Sequence, residues 1–246
     1  MKSRWLIIVL SMVLGGCGST HKQPPSAGGA ASAGGAGGAG MDDAGFQKEF
    51  NVPRANFVST GRNDYFILEP GYQHVYKSED EELIITVLKD TKMVDGVETR
   101  VVEEHESADG KVAEVSRNFF AIDKATNDVY YFGEEVDEYK NGKIASHGGA
   151  WLSGVDGAHY GLFMPARPAV GRKFYQEVAP KVAMDRCEVV ATDVKYTTLA
   201  GTFEKCVKMK ETTPLEHGSE YKIYGPKVGL LMDGDMKLVR HGQVSR

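Results

Sequence analysis

The side chains best placed to do chemistry stand in one glycine-rich stretch: His147, Trp151, Asp156 and His159. Two imidazoles and a carboxylate could hold a divalent metal or work as an acid and base pair, provided a rigid frame makes them converge. Their spacing follows no specific ligand motif, and solvated loop histidines are the plainer reading. A metal-dependent hydrolase around His147, Asp156 and His159 is therefore kept as an alternative, and a divalent metal is the one cofactor these residues would suit. His74, His105, His217 and His241 fall singly on strand or loop patterns.

Other polar groupings read as turns. Asp123 to Asp128 gathers three oxygen side chains, but lacks the sixth-position glycine and distal glutamate of an EF-hand, so a hairpin turn is expected. The runs Glu79 to Glu82 and Glu134 to Glu138 read as solvated turns and strand edges, able at most to hold divalent ions weakly. No Gly-x-Ser-x-Gly elbow, phosphate loop or His-Glu-x-x-His occurs, which removes the reason to propose an enzyme. A net charge of −5, becoming −7 if Lys2 and Arg4 are removed, argues against nucleic acid or a basic grip on anionic lipid.

The strongest motif is an address. Lys2 and Arg4 precede the apolar run Trp5 to Leu14, and Leu14-Gly15-Gly16-Cys17 follows. The run is too short to span a bilayer and has the layout of a secretory signal. Leu-x-Gly-Cys at this place resembles the lipobox of bacterial lipoproteins. That resemblance implies removal of residues 1–16, a thioether-linked diacylglycerol on Cys17 and an acylated amino terminus, usually with palmitate. Two or three chains, at about 0.8 kcal/mol per buried CH₂, make the membrane a firm partner. Residues 17–40, nearly all Gly, Ala, Ser and Pro after the cysteine, cannot bury enough surface to fold and read as a tether spanning roughly 25–30 Å. Gly18 stands where enteric inner-membrane lipoproteins carry Asp, so the resemblance places the protein in the cell envelope and favours the outer membrane of a Gram-negative host.

The remaining elements must position whatever chemistry there is. Residues 41–64, with Phe46, Phe50, Val52 and Phe57, read as a docking segment, either a helical turn or extended. Residues 65–246 alternate with period two, rich in β-branched and aromatic types, and are punctuated by Asp95-Gly96, Asp109-Gly110, Asn141-Gly142 and Asp233-Gly234. Such pairs supply the positive φ of tight hairpins. The expected fold is all-β: an antiparallel meander forming a curved sheet, open barrel or sandwich, with at most short helices. The only helical candidate, Tyr175 to Met184, is broken by Pro180. A hairpin about Thr197 and Thr198 would set Cys187 opposite Cys206 and permit a disulfide, the natural state for an exported pair; a catalytic thiol or a metal-ligand pair is the sharper alternative.

Three stretches, Phe66 to Tyr76, Ala200 to Cys206 and Tyr224 to Leu231, resemble in order the motifs of a group of uncharacterised β-rich bacterial lipoproteins and secreted domains. The group commonly has tryptophan where this chain has His74, and it assigns no catalytic residue. The expected function is a lipid-anchored extracytoplasmic β-domain that binds a ligand or scaffolds an envelope protein. The alternative is a carrier of an apolar ligand, lipid or acyl chain, in a curved barrel, with Phe119, Tyr131, Phe132, Phe163 and Met164 facing one lumen. The lipobox is directly testable. Cys17→Ala should abolish palmitate incorporation and leave residues 1–16 attached, read by intact mass; a processed, labelled variant would refute the assignment.

Overall fold

The computed structural model describes residues 40–244. They form β1 (Phe57–Val58), β2 (Gly61–Asn63), β3 (Phe66–Leu68), β4 (Tyr72–Lys77), β5 (Glu81–Val94), β6 (Val97–Ala108), β7 (Lys111–Asp123), β8 (Val129–Lys140) and β9 (Lys143–Ser146). Then come β10 (Trp151–Leu152), β11 (His159–Met164), β12 (Lys173–Tyr175), β13 (Glu177–Val178), β14 (Arg186–Thr198), β15 (Gly201–Thr212), β16 (Glu220–Gly225), β17 (Gly229–Asp233) and β18 (Met236–Gln243). One short 3-10 turn, Arg54–Asn56, is the only helical element among the described residues. The expected all-β class and antiparallel meander are what the chain adopts.

The sheet runs β12-β14-β15-β16-β17-β18-β4-β5-β6-β7-β8-β11-β13, every pairing along it antiparallel. Its two ends, β12 and β13, are separated in sequence by Gln176 alone. Lys173 and Tyr175 pair with Glu188 and Arg186 of β14, while Glu177 and Val178 pair with Tyr160 and His159 of β11. One short stretch thus occupies both edges, and the sheet is nearly closed into a barrel. Closure removes the unpaired edges that an open sheet would expose. Where the stretch crosses β11 it lies against Gly161, at which any Cβ would overlap the Gln176 backbone.

Local chemistry explains most of the hairpins. At Asp95-Gly96, Asp109-Gly110 and Asn141-Gly142 both central residues take positive φ, between 48° and 75°, as two-residue type I′ turns require. The fourth pair is displaced by one. Asp233 pairs with Met236, so Gly234 and Asp235 make the turn and Asp233 remains in the strand with its side chain buried. Tyr175 to Met184 is strand and turn, with Ala179 bridged to Ala183 around Pro180.

The cysteine hairpin departs further from expectation. Its turn is Leu199-Ala200, and three register shifts lie along β14 and β15. Cys187 faces Glu211 and Cys206 faces Val194, so the expected disulfide does not form and both are buried free thiols. Five residues of strand, about 17 Å, separate Cys206 from the partner of Cys187, far beyond disulfide reach. The two sulfurs belong to different cores. Cys187 packs in the larger one, on β6, β7, β8 and β11; Cys206 packs with Tyr76, Ile223, Leu231 and Leu238. Burial raises both thiols above their usual range, which makes them poor nucleophiles.

Residues 41–64 run over the outside of the barrel, mostly extended. Gln47 bridges to Phe174 in parallel, and Asp42 accepts hydrogen bonds from Tyr175 and Arg186, each at 2.9 Å. Phe57 packs edge-on against Tyr130, Phe132 and Tyr160, at 5.1–5.7 Å between ring centres. The closed sheet and both cores are complete within the described residues. Gly161→Ala should lower stability by about 2 kcal/mol, a fall of about 4–8 °C in Tm, because the added methyl pushes the closing stretch off β11. An unchanged Tm would show that closure tolerates separation there.

Candidate functional site

The structure does not bring the sequence-predicted residues together as a metal group. His147 is exposed at the end of the β9 hairpin, its Nδ1 2.9 Å from both the Val136 carbonyl and Asp137 Oδ1. Trp151 is buried edge-on against Tyr131, with its indole N–H unpartnered. Asp156 is exposed on a turn at φ 50°, and His159 lies on β11 opposite Val178. Among the described residues, no three or more His, Cys, Asp or Glu side chains are placed to hold a metal ion. The oxygens of the Asp123 to Asp128 loop are committed locally: Asp123 accepts from Ala125 N and Thr126 Oγ1, and Asp128 accepts from Ala166 N. Cys17 lies outside the described residues.

The feature that stands out is a chamber of about 1920 Å³ inside the barrel. Strand alternation builds its wall. Along β7, Glu114, Ser116, Asn118 and Phe120 all face inward, while the intervening Val115 and Phe119 pack in or against the outer layers. On β6, Val102 and Glu104 do the same; on β16, Lys222 and Tyr224 face the chamber and Ile223 the smaller core.

On β8 a bulge changes the count. Asn118 pairs with Glu134 and Phe120 with Tyr131, so two residues of β7 oppose three steps of β8. Gly133, at φ 133° and against the Trp151 carbonyl, absorbs the extra residue, since any Cβ there would overlap that oxygen. Tyr131 and Glu134, three apart, consequently both point inward. The neighbouring Glu135 stays outside in an ion pair with Lys92. The run beginning at Glu134 is therefore not simply a solvated edge, because its first member is an interior carboxylate.

The chamber has two characters. At its closed end Phe66 packs against Phe120 and Phe163 at 5.0 and 5.3 Å, and Phe120 stacks on Tyr131 at 4.7 Å. His74, where the resembling group carries tryptophan, also lines the chamber, buried between Tyr72 and Tyr76 and bonded at 2.8 Å to the Val228 carbonyl. Burial lowers its pKa to about 4, so it is a neutral packing group donating Nε2–H. Of the five residues expected to face an apolar lumen, Tyr131 and Phe163 do; Phe119, Phe132 and Met164 are buried in the packed wall. The open end is formed by the turns around Ser78 to Glu81, Thr213 to Ser219 and Gly234-Asp235.

Between the two ends the wall is acidic. Thirteen Asp and Glu line the whole chamber against three Lys, and no Arg does. The innermost lysine is spent internally: Lys222 Nζ lies 2.6 Å from Glu211 and 3.5 Å from Asp233. Burial alone would lower its pKa, but Asp233 and Glu211 reverse that and hold it charged. Lys222 also attracts Glu104 and Asp185, but burial outweighs that attraction. Burial raises Glu104 and Glu114 to about 7, with Glu104 adding repulsion at Glu114. Burial, then Glu114 and Glu104, raises Glu134 to about 8; burial and Glu211 raise Asp185 to about 7. Burial and the neighbouring Asp185 raise Glu177 well above the usual carboxylate range. Glu134 Oε1, Glu177 Oε2 and both amide atoms of Gln176 are buried with no hydrogen-bond partner.

Of these groups the sequence names Glu134, as the start of an acidic run read as a solvated edge, and Asp233, as a turn residue; it marks neither as interior. The available signal was a strand, Glu114 to Phe120, whose polar alternation faces away from its apolar residues; it reads equally as a solvated face until closure turns that face inward.

No family model matches the chain, and no curated protein matches it. Two solved structures are similar to it. A candidate lipoprotein from Parabacteroides distasonis aligns at 13% identity and a TM-score of 0.38, covering 74% of this chain and all of that one. A candidate exported protein with YmcC-like fold from Bacteroides fragilis aligns at 14% identity and a TM-score of 0.36, covering 76% and all.

The interior carboxylates set a pH dependence. Each has a folded pKa above its ordinary 4.5 or 3.8, so the folded state binds protons more tightly than the unfolded one. Stability is then greatest below that range and falls as pH rises from about 4.5 through about 8. Thermal melts of the chain from Gly18 onward should show Tm dropping by several degrees between pH 5 and 8, and Glu134→Gln should reduce the drop. A Tm that rises over this interval would contradict the assignment.

Proposed function

We propose that the protein is a lipid-anchored binding protein of the cell envelope that takes a small-molecule ligand into its barrel. The observation that carries this reading is the 1920 Å³ chamber, which exceeds the usual 300–1000 Å³ of a small-molecule pocket and combines an aromatic end with convergent polar groups. A barrel whose only task was structural would fill its lumen with side chains, as small barrels do. The buried Gln176, Glu134 and Glu177 atoms without partners support the same reading, since a ligand or ordered water would satisfy them. Binding is preferred to catalysis because both thiols of the barrel are buried with raised pKa values, which makes them poor nucleophiles. The resemblance of Leu14-Gly15-Gly16-Cys17 to a lipobox supports a chamber held near a membrane surface, with the outer membrane favoured where the host has one.

The mixed lining favours an amphiphile over the wholly apolar cargo that sequence alone suggested. Its apolar part would lie toward Phe66, Phe120 and Phe163 and its polar part toward the open end. Native mass spectrometry of the processed protein from its host envelope should show a mass excess that denaturation removes. Ser116→Trp, which places bulk in the middle of the chamber wall, should lose that excess while Leu199→Ser on the exposed hairpin tip keeps it. A wild-type protein carrying no excess would count against the reading.

A further inference from the structure

The chamber's charge narrows the ligand further. An anionic amphiphile such as a fatty acid would bring a further negative charge among Glu104, Glu114 and Glu134, which already oppose one another's ionisation. Lys222, the buried cation, is already neutralised by Glu211 and Asp233. A single metal ion also fails, because no three ligating side chains converge among the described residues and one ion would leave most of the volume empty. What remains unsatisfied is acceptor capacity spread over the wall. Glu134 and Glu177, 7% and 3% exposed, each present a carboxylate oxygen without a partner, and Gln176, 2% exposed, an amide without one. An ammonium group supplies several donors and a positive charge to such oxygens, and the adjoining aromatic faces of Tyr131 and Phe120 favour a cation as well.

We infer that the chamber takes an amphiphilic organic cation: an amine whose ammonium group sits among Glu104, Glu134 and Glu177, and whose apolar part lies against Phe66, Phe120 and Phe163. The inference rests on the reading of the chamber as a ligand site. The acidic rim, with Glu79, Asp80, Glu216 and Asp235 at the opening, adds a potential that draws cations in. The tyrosine network fixes the geometry at the junction of the two regions: Tyr131 donates to Asn118 at 2.5 Å, and Asn118 donates to Ser116 at 3.1 Å.

The test uses probes that share one tail. The chain from Gly18 onward, which keeps every described residue, is titrated calorimetrically with decylamine, decanol, decanoate and spermine at pH 9, above the range in which Glu104 and Glu134 hold their protons and below that in which an alkylamine loses its own. Decylamine should bind about tenfold more tightly than decanol and about a hundredfold more tightly than decanoate, and spermine should bind weakly because it leaves the aromatic end unused. Glu104→Gln and Glu134→Gln, each isosteric, should weaken decylamine about tenfold and leave decanol unchanged, which separates lost charge from lost fold. Equal binding of the three decyl compounds would overturn the inference and leave the chamber as a ligand site. Spermine binding as tightly as decylamine would overturn the amphiphilic part. No binding of any decyl compound would overturn both the inference and the reading beneath it.

Discussion

Everything in this protein depends on how residues 173–178 close the sheet. A meander of long hairpins has two free edges, and each would seek another strand. Here one short stretch answers both, pairing with β14 before Gln176 and with β11 after it. Closure turns one face of every strand into an interior. It also delivers Gln176 and Glu177, the residues at the crossing, into that interior with their polar atoms unsatisfied. The glycine at 161 is the steric condition for this contact, and the 41–64 segment reinforces it from outside through Gln47 and Asp42.

An interior with this lining costs stability. Carboxylates removed from water hold their protons to near neutral pH, and the chamber's buried lysine, Lys222, is committed to two others, Glu211 and Asp233. Such an arrangement lowers stability where a filled apolar lumen would raise it, and departures from the folding rules of this kind mark functional regions. The stabilising mass of the molecule lies elsewhere, in the aromatic layer of Phe57, Tyr130, Phe132 and Tyr160 and in the second core around Tyr76 and Leu238. Separating a rigid outer layer from a polar interior lets the chamber carry unsatisfied groups without loss of the fold.

Much of the scaffold was legible in residue types. Asp95-Gly96, Asp109-Gly110 and Asn141-Gly142 identified their hairpins because the turn chemistry is local. Registers were less legible, because they depend on bulges. The displaced turn at Leu199-Ala200 and the shifts along β14 separated Cys187 from Cys206, and the one-residue displacement at Gly234 moved Asp233 from a turn into the interior. His147, Asp156 and His159 are near in sequence yet form no ligand group among the described residues, since closeness along a loop carries no information about convergence. The carboxylates were invisible for a related reason. Glu104, Glu114 and Glu134 occupy the polar phase of alternating strands, and only a closed sheet, with a bulge at Gly133, distinguishes an inner polar face from an outer one.

The central claim is that these glutamates line a low-dielectric chamber and hold protons near neutral pH, and it is tested most directly by carboxyl-detected nuclear magnetic resonance. With glutamate labelled at the side-chain carboxyl carbon, the titration should split into two populations: surface residues in the ordinary range and a smaller set, including Glu104, Glu114 and Glu134, with midpoints near 7 to 8. Conversion of each of the three to glutamine should remove one resonance from that set. If every glutamate titrates in the ordinary range near 4.5, the interior is not the buried acidic chamber described, and the account of what it binds falls with it.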